Sequence, residues 1–428
     1  MEGATTLQLY LPNAKVYSKG NIHIMDMALK DGHWNQCSHL SEKEQDDYLI
    51  LYDALLSPGF LDVHVHLREP GFSYKERIAT GTLAAARGGY VAVCTMPNLN
   101  PTPDTVEHVE MQQAIIDRDA VIPVYPYGCI TMGQKGAGTL CDYKALRNIT
   151  IAFSDDGRGV QSDDTMREAM RRIKEVDGLL VAHCEDDTLV KAGGCIHEGE
   201  FAKNNGFVGI SSASEWSQIE RDLKLSKETG CKYHICHVST KESVALIRAA
   251  KADGVNVTCE TAPHYLVMSD ADLKDEGRFK MNPPIRGKED QLALIEGLKD
   301  GTIDIIATDH APHSAEEKAK GLKDSAMGIV GLETAFQVLY TDLVLKGIVS
   351  LETILKALID NPRERFGFEM ADVLDENNNT SSVFTLKEET IINPDDFLTL
   401  GRATPFEGKK VIGQCECTLI GGKVVWKR

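Results

Sequence analysis

Residues 61–71 read LDVHVHLREPG and carry His64, His66 and Arg68 at every second position. Side chains alternate along an extended strand, so these three share one face. Two imidazoles converging on one point can ligate a metal ion, and an arginine beside them can hold an anion close to it. H-x-H alone is a weak signal. Its weight depends on which other ligands the chain delivers to the same place.

Eight apolar, β-branched runs recur from residue 59 onward: GFLDVHVH, GYVAVCTM, AVIPVYPYG, ITIAFS, GLLVAHC, KYHICHV, NVTCETA and IDIIATDH. Segments with helical spacing separate them, among them YKERIATGTLAAARG, TVEHVEMQQAIIDRD, DDTMREAMRRIKEV and KEDQLALIEGLKDG. Strand–helix alternation implies parallel βαβ units. Eight units over about 250 residues fit a (β/α)8 barrel of the TIM type, whose active sites lie at the C-terminal strand ends. The polar residues there are His64 and His66 (first run), Asp155 and Asp156 (fourth), His183 (fifth), His237 (sixth) and Asp309 (eighth). Singly, each has an ordinary structural explanation: a turn for the aspartate pair, a helix cap for Asp309, a hydrogen-bonded histidine elsewhere. Five strand ends agreeing in register point instead to a ligand set for two divalent ions. Nitrogen and carboxylate donors suit Zn2+ and also admit Mn2+ or Co2+. Of the remaining histidines, His234 reads as structural, and His264 is left open.

The chain has 428 residues, 42% of them hydrophobic and 26% charged, which is ordinary for a globular protein. Its ends read as short strands and turns. We expect residues 1–57 and 372–428 to form one small β-sandwich domain beside a barrel spanning 58–371. The net charge of −18 argues against nucleic-acid and anionic-membrane partners. The opening MEGATTLQLYLPN lacks the basic and apolar regions of a leader, and no apolar run reaches spanning length. Of the eleven cysteines, Cys94, Cys184, Cys236 and Cys259 sit in apolar runs and read as free buried thiols, consistent with a cytoplasmic location. Cys415 and Cys417 read as alternating strand positions.

The stretch from Asp62 to Gly71 resembles the first metal motif of the cyclic amidohydrolases, within the amidohydrolase superfamily. MPN at 96–98, FSDDG at 153–157, AHCED at 182–186, ICHVST at 235–240, ETAPHYL at 260–266, NPPIR at 282–286, TDHAPH at 308–313 and GIVGLETAF at 328–336 follow in the order of class I dihydroorotases. TPF at 404–406 is similar to that family's closing segment. Two departures stand out: Ser325-Ala326-Met327 replace an expected proline before GIVG, and the segment after residue 366 diverges.

The resemblance implies roles. His64 and His66 would bind one zinc and His183 and His237 a second, while Asp309 would ligate the first and shuttle protons. Many relatives bridge the ions with a carboxylated lysine. Here the nearest upstream lysine, Lys144, lies too far back, so Asp155 is expected to bridge together with a hydroxide, with Asp156 the second candidate. Arg68, Asn98 and His313 would hold a substrate carboxylate, Asn282 would contact the ring or the ureido group, and backbone near Gly328 would complete the pocket. The implied reaction is the reversible cyclisation of N-carbamoyl-L-aspartate to (S)-dihydroorotate in pyrimidine biosynthesis. A homodimer and an association with aspartate transcarbamoylase are the partners such relatives suggest. The alternatives are another cyclic amidohydrolase (hydantoinase, dihydropyrimidinase or allantoinase) and a non-catalytic subunit that scaffolds a transcarbamoylase.

Overall fold

The computed structural model describes residues 7–428. Residues 1–6, which belong to the segment read above for a leader and to the expected N-terminal part of the small domain, lie outside the described residues. The eight apolar runs form a closed ring of parallel strands. Phe60–Val65, Tyr90–Thr95 and Val124–Pro126 pair in sequence. Phe153 bridges Gly128 to Leu180. The ring continues through Leu179–Ala182, Lys232–Ile235, Val257–Thr261 and Ile305–Ile306. It closes where His310 pairs with Val65.

Alternation along these strands creates two apolar layers. Leu61, Val63, Cys94, Tyr127, Ala152, Val181 and Ile305 fill the barrel interior. Val93, Phe153, Leu180, Tyr233 and Ile306 face outward, against Ile116, Ile173, Ile219, Val244 and Leu298 of the surrounding helices. These helices include Val106–Asp119, Asp163–Glu175, Ala213–Thr229, Lys241–Ala252 and Lys288–Asp300. Their starts follow capping chemistry: Thr105, Ser162 and Thr240 each accept a bond from the backbone N–H three residues on. Among the described residues no helix is long and apolar enough to cross a membrane.

Both chain ends share one curled, mostly antiparallel sheet. Leu9–Ser18 pairs with Asn21–Lys30 and with Ala54–Ser57, which in turn pairs with Ser381–Ile391. Lys410–Ile420 and Lys423–Lys427 complete that side. One face encloses a small core of Leu11, Val16, Leu29, Trp34, Leu56, Val383 and Leu419, giving the β-sandwich. The neighbouring positions Tyr17, Leu55 and Phe384 turn to the barrel. At the junction the Phe60, Phe336 and Phe384 rings lie 4.6–5.4 Å apart. Gly89, at φ +85°, sits so close to Phe384 that a Cβ there would collide with the ring. Simple alternation would put Cys415 and Cys417 on one face. A register shift between them sends Cys415 to the barrel core and Cys417 into the sandwich.

Candidate metal centre

Two local departures from regular strand geometry build the site. Along the first strand the pairing slips by one residue between Asp62 and Val65. Interior positions therefore change from odd (Leu61, Val63) to even (His64, His66) just where the strand ends. Next, Arg68, His237 and Asp309 adopt left-handed backbone, with φ of 62°, 32° and 48°. Side chains other than glycine pay of order 1–2 kcal/mol for that conformation, and such strain is typical of functional positions. Here it turns three polar side chains at strand ends toward the mouth of the barrel.

Three groups of side chains bring ligating atoms within 4.8 Å of one another: His64, His66 and Asp309; Asp156, His183 and His237; and His64, Asp156 and Cys236. The His66 Nε2 to Asp309 Oδ1 distance is 3.1 Å, and the His183 Nδ1 to His237 Nε2 distance is 2.9 Å. Asp156 Oδ1 lies 3.4–3.6 Å from ring nitrogens of His64, His183 and His237. All seven residues are buried.

The bridging expectation is corrected here: the Asp155 carboxylate is not in the cluster. It accepts the backbone N–H groups of Ile130 (2.8 Å), Thr131 (3.1 Å) and Gly136 (3.2 Å) and the Thr131 hydroxyl (2.5 Å). It thus organises the loop after the third strand. The reason is period 2. Ala152 faces the interior and Phe153 the outer layer. Asp156 therefore points in and Asp155 out, so that parity along the fourth strand was the signal to use.

Burial opposes the charged state of these groups; it prevails at His66, which is pushed below its ordinary value, and the neighbours overcome it at Asp156, His183 and His64. His64, His183 and His237 hold the Asp156 carboxyl well below the usual carboxylate range. Asp156 and Glu185 lift His183 to about 10. Glu260 and Asp156 lift His64 well above its ordinary value. Imidazoles and carboxylates sharing protons in this way form a donor set from which a divalent cation can displace those protons. A metal also fits the leftover valences. His64 Nε2 and Asp156 Oδ1 are buried without a hydrogen-bond partner among the described residues, and both residues belong to the clustered groups.

A supporting shell orients the ligands, and the reading of strand ends missed it. Glu260 takes His64 Nδ1 at 2.5 Å, His234 Nε2 at 3.1 Å and the His237 backbone N–H at 3.3 Å. His234 is thereby structural, as expected. Asp62 accepts the Thr308 N–H and hydroxyl at 3.1 and 2.6 Å, pinning the first strand to the eighth. His264 is buried with its Nε2 unpartnered among the described residues, outside the three groups. Supporting partners of metal-bound histidines typically contribute 10–100-fold in metal affinity. Glu260→Gln should accordingly weaken zinc binding by about that factor, read by chelator competition.

The expected substrate residues line one cavity of about 250 Å3 with the cluster: Arg68, Asn98, Asn282, His313 and Gly328 together with His66, Asp156, His183, His237 and Asp309. Asn98 Nδ2 donates to the Asp156 carbonyl at 2.6 Å. Asn282 Nδ2 donates to both Glu185 oxygens at 3.1–3.2 Å, which leaves its carbonyl oxygen as the free acceptor. Gly328, at φ +140°, has room for no Cβ, which would come within 2.6 Å of the Ala311 carbonyl. Lys144 is exposed on the short helix Tyr143–Leu146.

A family model described as dihydro-orotase-like matches residues 53–243. A dihydroorotase of Bacillus cytotoxicus is 46% identical to this chain over 412 residues, 96% of each chain. One from Bacillus cereus is 45% identical over the same shares. Of solved structures, the L-hydantoinase (dihydropyrimidinase) from Arthrobacter aurescens superposes with a TM-score of 0.83 at 25% identity, covering 98% of this chain and 96% of that one. The dihydropyrimidinase from Brevibacillus agri shows the same fold, with a TM-score of 0.80 at 20% identity, covering 98% of this chain and 95% of that one. With nearly half its residues identical over almost the full length of both chains, and with a barrel mouth where side chains able to hold a metal cluster, the chain belongs to the dihydroorotase family.

Proposed function

We propose that this chain interconverts N-carbamoyl-L-aspartate and (S)-dihydroorotate, with two zinc ions held by its own side chains. The observation that carries the reading is one cavity in which a guanidinium, two neutral polar side chains and a buried imidazole face the clustered ligands. His64, His66 and Asp309 would hold one ion and His183 and His237 the other, with Asp156 between them. Bound there, the metal would supply a nucleophile at neutral pH and polarise the amide carbonyl.

The residues do the rest. Arg68 offers the substrate carboxylate a charge-assisted pair, and Asn98 and His313 flank it. The Asn282 carbonyl oxygen, turned by Glu185, accepts the ring N–H. In ring opening Asp309 takes the proton of the attacking water and hands it to the departing ring nitrogen, and ring closure runs this transfer backwards. The barrel buries these groups, so the transfer is shielded from bulk water.

A second reading, turnover of hydantoin or dihydropyrimidine rings, draws on the structural neighbours. The Arg68 guanidinium in the cavity favours the carboxylated ring instead. The purified protein should open dihydroorotate, lose that activity on chelation and regain it with zinc at two ions per chain. Turnover of hydantoin or dihydrouracil with none of dihydroorotate would replace this function with the second reading.

A further inference from the structure

The Lys75 side chain, in the loop after the first strand, is mostly buried and reaches across to the segment that follows the eighth strand. Its ammonium stands 3.2 Å from His313 Nδ1 and 2.9 Å from Glu317 Oε1. The second Glu317 oxygen is 3.4 Å from the same ring nitrogen. On the other side of the ring, His313 Nε2 is 2.8 Å from the Met327 carbonyl oxygen and 3.4 Å from Arg68 Nη2.

These contacts decide which nitrogen carries the proton. A carbonyl oxygen at 2.8 Å can only accept, so Nε2 bears the hydrogen. The ring is also kept neutral: burial and the cations Arg68, Lys75 and Lys318 push His313 down to about 3. A neutral ring protonated at Nε2 has a bare lone pair at Nδ1. An ammonium has hydrogens to give and no lone pair. Lys75 therefore matches Nδ1, and Glu317 satisfies the remainder of its charge.

We infer that Lys75 is a positioning residue that locks His313 as a neutral ring, its Nε2–H spent on the Met327 carbonyl, so that the cavity wall beside Arg68 carries no second buried cation. The inference rests on the proposed carboxylate clamp. It adds that the clamp is set from outside the cavity, by a residue that the substrate never touches. A neutral ring beside the guanidinium keeps the fork in place for a carboxylate without adding a second buried positive charge. With the ammonium gone, Nδ1 would face Glu317 alone. With Nε2 still facing the Met327 carbonyl, the ring would then take a second proton on Nδ1 and become an imidazolium beside Arg68.

Lys75→Met and Lys75→Arg test this, with histidine rings labelled with 15N and His313 assigned from a His313→Asn control. The wild-type spectrum should show His313 protonated at Nε2 and bare at Nδ1. Lys75→Met should show a proton on both ring nitrogens at neutral pH, and Lys75→Arg should keep the wild-type pattern. In turnover, Lys75→Met should raise KM for dihydroorotate about tenfold while kcat falls less than about threefold, because the lost contact binds ground and transition states alike. Lys75→Arg should recover most of the KM, and zinc content should stay at the wild-type level in both. A wild-type tautomer in Lys75→Met, or a loss in kcat with KM unchanged, overturns the inference. A wild-type protein inactive on dihydroorotate would instead sink the functional reading, and the ring spectrum would still decide whether Lys75 sets the tautomer.

Discussion

Asp156→Asn should lower kcat/KM for dihydroorotate by at least about 1,000-fold, roughly 4 kcal/mol of transition-state stabilisation, and leave less than one zinc per chain. Its Oδ1 is within 3.4–3.6 Å of three histidine ring nitrogens drawn from three different strands. Two divalent cations placed on either side of this residue would repel strongly in a buried setting, and the carboxylate is the charge between them. An amide keeps the shape and loses that charge. Asp155→Asn should behave differently. Its carboxylate accepts three backbone N–H groups and a hydroxyl, so the variant should keep zinc and lose about 2 kcal/mol of stability by chemical denaturation. Metal loss in Asp155→Asn with full metal in Asp156→Asn would reverse the assignment.

Arg68→Met should reduce kcat/KM for dihydroorotate about 100- to 1,000-fold while zinc content stays unchanged. The protein carries a net charge of −18, and the Arg68 guanidinium lines the cavity at 9% exposure. Burial lowers it to about 10, so it stays charged at neutral pH. Its Nε donates to the Pro312 carbonyl at 3.3 Å, which holds the fork in place. Removing one partner of a buried, charge-assisted pair typically costs about 2–5 kcal/mol. Lysine offers a point charge rather than a planar fork, so Arg68→Lys should restore only part of the loss. Full activity of Arg68→Met would leave the carboxylate to another group and remove the main argument against a hydantoinase-type substrate.

The barrel and most of the side-chain cluster at its mouth were legible in the chain because both depend on short-range rules. Apolar runs of strand length separated by helical spacing imply parallel strands. Such strands close into a ring whose polar ends converge, and this brought His64, His66, His183, His237 and Asp309 to one place without knowledge of any contact. The same rule, applied to Ala152 and Phe153, would have chosen Asp156 over its neighbour.

Other features depended on distance along the chain. Glu260 meets His64 across 196 residues, Lys75 meets His313 across 238, and Asp62 meets Thr308 across 246. Nothing in composition or periodicity couples such pairs, because ring closure and loop path set their separation. The slip between Asp62 and Val65 and the left-handed turns at Arg68, His237 and Asp309 belong with them. Local propensity disfavours both, and the packing of the completed barrel holds them in place. The residue types at the barrel mouth were therefore readable from the linear order, while their aim, tautomers and support came from contacts that exist once the ring is closed.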